Sequence, residues 1–174
     1  MRPGITIILD VMKTLLLLRH AKSSWKHSEL ADHDRPLNKR GKQTAPHMGA
    51  LLQDEDLIPD LILCSSAVRA HTTALLVAEA CNYRGKIKQT RELYLAGPED
   101  YVEVLRQVAD KHARVLVVGH NPGLEALIEA LTGEAMAMPT GALAQVELSL
   151  ERWRDLDTNT ECKLVNVWRP KDLG

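Results

Sequence analysis

Short apolar runs alternate with amphipathic stretches along most of the chain. The runs LLLL at 15–18 and VLVV at 115–118 are typical of strands buried on both faces, as in a parallel sheet covered by helices. The predicted strands are Thr14–Leu18, Leu61–Cys64, Lys86–Gln89, Val115–Val118, Ala144–Leu150 and Leu164–Trp168. The predicted helices are Asn38–Asp54, Ala67–Cys81, Pro98–His112 and Gly123–Leu131.

The order of these elements favours an α/β fold, because four strand–helix pairs are followed by two further strands. We expect a three-layer α/β/α sandwich with a mostly parallel central sheet. Pro98, followed by Glu99 and Asp100, marks the first turn of the third helix. Pro46 inside the first helix predicts either a kink or a later helix start.

The N-terminus is weakly similar to a signal sequence. However, Asp10 and Lys13 interrupt its apolar run, and no small-residue cleavage site follows. We interpret residues 1–11 as an N-terminal extension without an assigned function and as a candidate for disorder. Residues 12–174 contain no internal repeat, low-complexity tract or linker, so we expect them to form one domain.

Composition and charge exclude several classes of protein. Of the 174 residues, 45% are apolar and 26% are charged, and the formal net charge of −1 leaves no basic excess for nucleic acid or an anionic membrane surface. No apolar stretch approaches the roughly 18 residues that a membrane span needs. The three cysteines, Cys64, Cys81 and Cys162, form no CxxC pair, which fits a reducing compartment. We therefore expect a cytoplasmic protein without nucleic-acid or membrane partners.

Polar clusters directly follow three of the predicted strands. They are RHAKS at 19–23, SSAVRAHTTA at 65–74 and GHNPG at 119–123. Ligands of open α/β sheets bind outside the carboxyl ends of the strands, so we expect these clusters to converge. Together they offer two arginines, two histidines, several hydroxyls and two helix N-termini, which suits a phosphate or sulfate group.

Such a cluster can transfer a phosphoryl group without a metal. A neutral imidazole attacks phosphorus if a hydrogen bond to its other nitrogen fixes the tautomer. Arginines clamp the equatorial oxygens, and a second histidine, when protonated, adds a charged donor. Because two arginines supply the positive charge and no metal-binding motif is visible, we expect neither a metal nor another cofactor.

The segments LLLLRHAKSSW, SSAVRAHTTA and VVGHNPGLEAL resemble the signatures of the histidine phosphatase superfamily, which includes the cofactor-dependent phosphoglycerate mutases. The short forms RHAKS and GHNP are similar to those of SixA-type phosphohistidine phosphatases in particular. The resemblance implies a phosphoglycerate mutase-like fold in which His20 is the nucleophile that becomes phosphorylated. It further implies that Arg19 and Arg69 bind the phosphoryl oxygens and that His120 donates to them.

Ser23 falls where the superfamily often has a small hydroxyl residue, which makes it a secondary candidate for phosphate binding. Ala21 stands where most members have glycine, a change shared with RHAKS-type members. Many members carry a leaving-group acid between the second arginine and the second histidine. The nearest candidate here is Glu92, although SixA-type enzymes lack an obvious equivalent, and a P–N bond depends less on such an acid than an ester does.

The short chain bears on the substrate. Between Leu95 and Val115 there is room for only one helix, so the site is expected to be open and to suit a phosphorylated side chain on a protein surface. The polar loop from Lys22 to Arg35, with its single aromatic residue Trp25, is either a solvated connection or a rim that contacts such a protein. His33 in this loop is expected at the surface.

The leading hypothesis is a metal-independent phosphatase that acts through phosphorylated His20, with phosphohistidine on a protein as its substrate. A histidine phosphotransfer domain would be one such partner. The alternative within the same class is a broad-specificity phosphomonoesterase for small phosphoesters. The alternative from another class is a non-catalytic reader of phosphohistidine or phosphate, which would not need the nucleophile.

Overall fold

The computed structural model of the protein describes residues 13–173 and contains a six-stranded mixed sheet. The strands in chain order are β1 Lys13–Arg19, β2 Leu61–Ser65, β3 Ile87–Thr90, β4 Arg114–Gly119, β5 Leu143–Leu148 and β6 Cys162–Trp168. Their order across the sheet is β3-β2-β4-β1-β5-β6. The first four of that order are mutually parallel, whereas β5 runs antiparallel to both of its neighbours. The sheet is therefore mostly parallel, as predicted.

Four helices cover the two faces of this sheet. They are α1 Lys39–Asp54, α2 Val68–Ala80, α3 Pro98–Arg106 and α4 Gly123–Thr132. Along β1, Leu16 and Leu18 pack on the side of α1 and α2, whereas Leu15 and Leu17 pack on the side of α3 and α4. This alternation explains the continuous LLLL run, because both faces of the strand are buried. The predicted three-layer α/β/α sandwich is confirmed.

The structure departs from the sequence prediction at two helices. The third helix ends at Arg106 and not at His112, because the following residues bind other parts of the chain. The Asp110 carboxylate accepts the Trp153 N–H at 3.0 Å, and the Asp110 carbonyl accepts from Lys13 Nζ at 2.6 Å. The first helix begins at Lys39 and contains Pro46, so the later start is wrong.

Two further predictions concern the N-terminal extension and membrane spans. The predicted N-terminal extension, residues 1–11, lies outside them. Between residues 13 and 173, no helix is both long enough and apolar enough to cross a membrane.

The sheet order brings the carboxyl ends of three strands together. Strand β4 lies between β1 and β2, and Arg19 at the end of β1 is opposite Gly119 at the end of β4. Gly119 is required there, since a Cβ atom would collide with the Tyr101 hydroxyl. His20, Ser65 and His120 therefore emerge side by side at one edge of the sheet.

Candidate active site

The four principal residues predicted from the sequence line one pocket. Arg19, His20, Arg69 and His120 surround a cavity of about 270 Å³ at the carboxyl ends of β1, β2 and β4. The two imidazole rings are tilted with their centroids 5.1 Å apart. Further parts of the wall come from Lys22, Ser23, Trp25, Leu95 and Thr140. The wall is rich in cations, and none of its residues within the described chain is a carboxylate.

His20 is held in a defined tautomer. Its Nδ1 lies 2.7 Å from the Ala21 carbonyl oxygen, which can only accept, so Nδ1 carries the proton and donates it. Nε2 is then the nitrogen with the free electron pair. Burial, with smaller contributions from the cations Arg69, Arg19 and Arg35, lowers the pKa of His20 to about 4, although the Ala21 hydrogen bond acts in the opposite direction. His20 is therefore neutral at pH 7.

His120 is also neutral in the free protein. Burial lowers its pKa to about 3, and the neighbouring His20 and Arg69 act in the same direction. The sequence analysis left the protonation state of this second histidine open. His120 Nε2 lies 2.7 Å from the Ser65 hydroxyl oxygen, which also accepts the Ala67 N–H at 3.2 Å. When the Ser65 hydroxyl donates to Nε2, Nδ1 of His120 keeps its proton as a neutral donor.

Arg19 is oriented by the segment that precedes β5. Its Nη1 donates to the Met138 carbonyl at 3.0 Å, and the Asn121 amide donates to the same carbonyl at 2.7 Å. The Glu125 carboxylate accepts both this amide, at 2.8 Å, and the Met138 N–H, at 3.0 Å. Asn121 therefore fixes the loop after β4. The hydrogen bonds to Met138 also orient the Arg19 side chain at the pocket. Burial lowers the pKa of Arg19, which Glu125 partly offsets.

Arg69 is positioned by Asp32, a residue that the sequence analysis did not single out. Arg69 Nη1 donates to the Asp32 carbonyl at 2.6 Å, and Nη2 donates to the Asp32 carboxylate at 3.0 Å. The Asp32 carboxylate also accepts from Tyr94 Oη at 2.7 Å and from Arg35 Nε at 3.1 Å. The Tyr94 hydrogen bond, followed by those of Arg69 and Arg35, holds the pKa of Asp32 well below its usual range.

Tyr94 closes one side of the site with ring contacts. Its ring meets His120 edge-on at 5.7 Å and His33 edge-on at 4.8 Å. His33 is partly buried, and its Nε2 lies 2.8 Å from the Ser66 hydroxyl. His33 therefore keeps part of its side chain exposed, as expected of a surface residue, but it also contacts the site because the loop folds back over the start of α2.

Ser23 lies in the wall of the pocket, as expected for a secondary ligand. Its hydroxyl oxygen accepts from Arg35 Nη1 at 2.9 Å, so its proton stays available. The Arg35 guanidinium lies 3.5 Å from the centre of the Trp25 ring, a cation–π contact. Arg35 thus supports both Ser23 and the exposed indole at the mouth of the pocket.

Glu92 is not brought to this pocket. It lies in the 3₁₀ turn Arg91–Leu93, where Leu93 is buried in the core, and Glu92 lines a separate depression with Lys88 and Gln107. Glu92 does not line the pocket that contains His20. This placement does not support Glu92 as the leaving-group acid.

The sequence analysis missed Asp32 and Tyr94 for the same reason. Asp32 and Tyr94 are separated by 62 positions and bind each other and Arg69 only after the chain has folded. Asp32 stood in a charged loop with Glu29 and Asp34, so no spacing distinguished it.

Between residues 13 and 173, no group of three or more His, Cys, Asp or Glu side chains is arranged to hold a metal ion.

Comparisons with known proteins are consistent with this geometry. The family model described as histidine phosphatase superfamily (branch 1) matches residues 15–94. A candidate phosphohistidine phosphatase SixA from Agrobacterium tumefaciens is 31% identical, with a TM-score of 0.78, and the match covers 91% of this chain and 98% of that one. The corresponding SixA candidate from Nakamurella multipartitia is 26% identical, with a TM-score of 0.80 and coverage of 91% and 96%.

A relative known from its sequence extends the comparison. An uncharacterised protein of Mycobacterium tuberculosis (strain ATCC 25618 / H37Rv) is 31% identical over 151 residues, which are 80% of this chain and 92% of the relative. The similarity therefore extends over most of the chain, well beyond the segment that the family model matches.

Proposed function

This chain belongs to the histidine phosphatase superfamily and is an enzyme of the phosphatase and mutase type, and we propose that it hydrolyses phosphohistidine on a protein through a phosphorylated His20. Arg19 and Arg69 bind the phosphoryl oxygens, and His120 donates to them. Ser23 adds a weaker donor. No step requires a metal, because the two guanidiniums supply the positive charge that the transferring group needs.

One observation carries this proposal: the hydrogen bond from His20 Nδ1 to the Ala21 carbonyl, 2.7 Å long. A histidine is a nucleophile only through an unprotonated nitrogen, and this bond leaves Nε2 as that nitrogen. The lowered pKa of His20, about 4, keeps the ring neutral over the physiological range. A histidine that only bound phosphate would serve better as the protonated donor, so the tautomer favours the enzyme over the reader.

In the first step, His20 Nε2 attacks phosphorus and the P–N bond of the substrate breaks. The electron pair of that bond stays with the leaving imidazole, which departs as a neutral base when its other nitrogen carries a proton. The His20 ring becomes positively charged, because Nδ1 keeps its proton while Nε2 holds the phosphoryl group. The Ala21 carbonyl then accepts from a cation, and charge-assisted hydrogen bonds are roughly twice as strong as neutral ones.

In the second step, water attacks the phosphorylated His20. The bond between Nε2 and phosphorus breaks, and His20 returns to the neutral form protonated on Nδ1. Inorganic phosphate leaves with the proton lost by water. Arg19 and Arg69 keep contact with the equatorial oxygens through both steps, since their charge does not depend on the working pH.

The wall of the pocket favours a phosphoramidate over an ester. An alkoxide leaving group needs a positioned acid, whereas a protonated phosphohistidine leaves as neutral imidazole. No carboxylate lines the pocket within residues 13–173, and Glu92 lies in another depression. The site therefore has the arginines and the nucleophile for phosphoryl transfer but lacks a carboxylic acid for ester cleavage.

The rim of the pocket favours a substrate presented by a protein. Trp25 is 78% exposed and Leu95 is 77% exposed, the two highest values among the exposed large hydrophobic side chains of the described residues. Both line the pocket. Exposed apolar side chains next to a binding site are typical of protein interaction surfaces. A histidine phosphotransfer domain presents its phosphorylated side chain on a surface that such a rim can contact.

The test measures phosphate release from a histidine-phosphorylated phosphotransfer domain and from an aryl phosphate ester, without added metal. We expect rapid loss from phosphohistidine, slow loss from the ester, and a drop of at least a thousandfold in His20→Ala. His112→Ala, at the opposite end of the sheet, is the matched control and should retain full activity.

Acid-labile phosphate on the wild-type protein, absent from His20→Ala, would identify the intermediate. Efficient ester hydrolysis without action on phosphohistidine would replace the proposal by a small-molecule phosphomonoesterase. Binding of both substrates without turnover would replace it by a reader.

A further inference from the structure

The pocket continues into a groove along α1. A depression of about 190 Å³ shares Lys22 and Thr140 with the pocket, and it shares Arg40, Thr44 and Lys171 with a larger depression of about 550 Å³. We call these two depressions the α1 groove. Its walls are α1 on one side and the C-terminal turn Pro170–Asp172 on the other. The walls approach at Gly141, where a Cβ atom would lie 3.0 Å from Thr44 and 3.1 Å from Pro170.

The end of the α1 groove nearest the pocket carries three cations. Lys22, Arg40 and Lys171 are exposed, and none of them makes an ion pair or a side-chain hydrogen bond with residues 13–173. The chain as a whole has a formal charge of −1, so this concentration of positive charge is local. Asp54 lies at the far end of the groove, fourteen positions from Arg40 on the same helix.

The length of the α1 groove decides between a small molecule and a peptide. From Arg40 to Asp54 the helix rises about 21 Å at 1.5 Å per residue. An extended segment of about six residues spans this distance. A small phosphoester that reached His20 would leave most of the groove empty. Leu51 and the exposed Leu173 line its distal part, which gives such a segment apolar contacts beyond the cations.

We infer that the α1 groove binds an acidic segment that flanks the phosphorylated residue of the substrate protein. The inference rests on the proposed function, because the groove opens into the pocket that contains His20. Acidic side chains next to the phosphorylated residue pair with Lys22, Arg40 and Lys171, and the following residues lie along α1. The groove therefore selects among phosphorylated proteins by charge, a form of recognition that salt weakens.

The test compares two peptides of equal length, each with one central phosphohistidine. One has glutamates and the other has glutamines on both sides of it. For the wild-type protein we expect kcat/KM to be about tenfold higher for the glutamate peptide, because several exposed ion pairs contribute together. The preference should disappear in 0.5 M salt.

Arg40→Glu combined with Lys171→Glu should remove or reverse the preference. Neither residue lines the catalytic pocket, so turnover of free phosphohistidine should be unchanged. Arg40 is the second residue of α1, where an acidic side chain is favourable, so the helix should form normally. Lys39→Glu combined with Lys42→Glu, an equal charge change at two exposed positions of the same helix outside the groove, is the matched control and should keep the preference.

Three results would overturn the inference. They are a wild-type protein that does not distinguish the peptides, a double variant that keeps the preference, and a control that loses it. A preference for a small bisphosphate over its monophosphate that depends on Arg40 and Lys171, without discrimination between the peptides, would assign the cations to a second phosphate group.

A failure of the proposed function can be distinguished from a failure of the inference about the α1 groove. If neither peptide nor free phosphohistidine is hydrolysed, the enzyme proposal fails. Binding of the unphosphorylated glutamate peptide, followed by fluorescence anisotropy, then tests the α1 groove alone. Binding that is weaker in Arg40→Glu/Lys171→Glu than in Lys39→Glu/Lys42→Glu would support the groove, and equal binding in the two would overturn it.

Discussion

The two ends of the central strands both contain buried or partly buried cations, but the cations at the two ends have different partners. At the amino ends, Lys13 is 2% exposed and donates from Nζ to the Asp110 carbonyl, and Arg114 Nη1 donates to the Ile58 carbonyl at 3.0 Å. At the carboxyl ends, Arg19 and Arg69 face one cavity with two histidines.

The two ends of the strands also differ in where carboxylates lie. At the amino ends, the Asp60 carboxylate accepts the N–H groups of Ala113 and Arg114 at 2.9 and 2.8 Å. An unpaired donor does not by itself identify a site, because Nε of Arg114 lacks a partner within the described chain, as do Nε of Arg19 and Arg69. What distinguishes the carboxyl ends is convergence. Several cations share one cavity, and none of the described residues in its wall is a carboxylate, which is the arrangement that the proposed phosphoryl binding requires.

The largest expected effect separates the arginines at the two ends. Arg69→Lys should lower kcat/KM on phosphohistidine by about 10²- to 10³-fold. The planar guanidinium of arginine can bind Asp32 and a phosphoryl group at the same time, whereas the single ammonium of lysine cannot. Arg114→Lys, at the amino ends, should leave kcat/KM unchanged. Steady-state kinetics on both variants would measure this, and a similar loss in the two would contradict the comparison.

A smaller effect is expected from the carboxylate that orients Arg69. Asp32→Asn should lower kcat/KM about tenfold, since the amide keeps the shape but loses the charge that anchors Arg69 and Arg35. Asp34→Asn, in the same 3₁₀ turn, is the control, because the Asp34 carboxylate pairs with His33 and with no arginine among the described residues. Full activity in Asp32→Asn would show that Arg69 needs no anchor.

The buried histidines should make stability depend on pH. Their folded pKa values of about 4 and about 3 lie below the 6.5 of the unfolded chain, so the unfolded state binds more protons between pH 6.5 and about 4. Stability therefore falls as pH decreases through this window, by about 2 kcal/mol per histidine at pH 5. Asp32 does not contribute there, because its stabilisation is lost only at lower pH.

His120→Asn should lose less stability than the wild type between pH 7.5 and 5. Urea unfolding in a buffer without phosphate or sulfate measures the difference, since a bound anion would raise both pKa values. An identical pH dependence in variant and wild type would mean that His120 is not buried in its neutral form.

The smallest effect on activity is expected at the amino ends. Lys13→Ala should lower the free energy of unfolding by about 2 kcal/mol, because the Asp110 carbonyl loses a charged donor and the side-chain stem no longer packs. The kcat of the folded protein should stay at the wild-type value. Paired denaturation and kinetic measurements test this, and a fall in kcat with unchanged stability would reverse the roles of the two ends.

Much of the fold was predictable because it depends on local periodicity. All ten predicted helices and strands are present, and most bounds agree within two residues. The main exception, the end of α3, depends on Asp110 contacts with Lys13 and Trp153, which lie 97 and 43 positions away. No local pattern encodes such contacts.

The site divides in the same way. The candidates His20, Arg19, Arg69 and His120 could be located because each ends a strand, directly follows one or lies in the first turn of the next helix. The parallel sheet then brings the strand ends together. Three features could not be predicted: the position of Glu92 outside the pocket, the neutral state of His120, and the α1 groove. They depend on where the turn that contains Glu92 lies, on burial, and on the packing of residues 170–173 against α1.

The sequence by itself determined the order of the elements and the residue types at the strand ends, because hydrophobic periodicity and strand-end position are properties of short segments. The tertiary structure decided which groups are neutral, which carboxylate holds Arg69 and where the pocket continues. Those properties arise from desolvation and from contacts between residues far apart in the chain, which exist only in the folded protein.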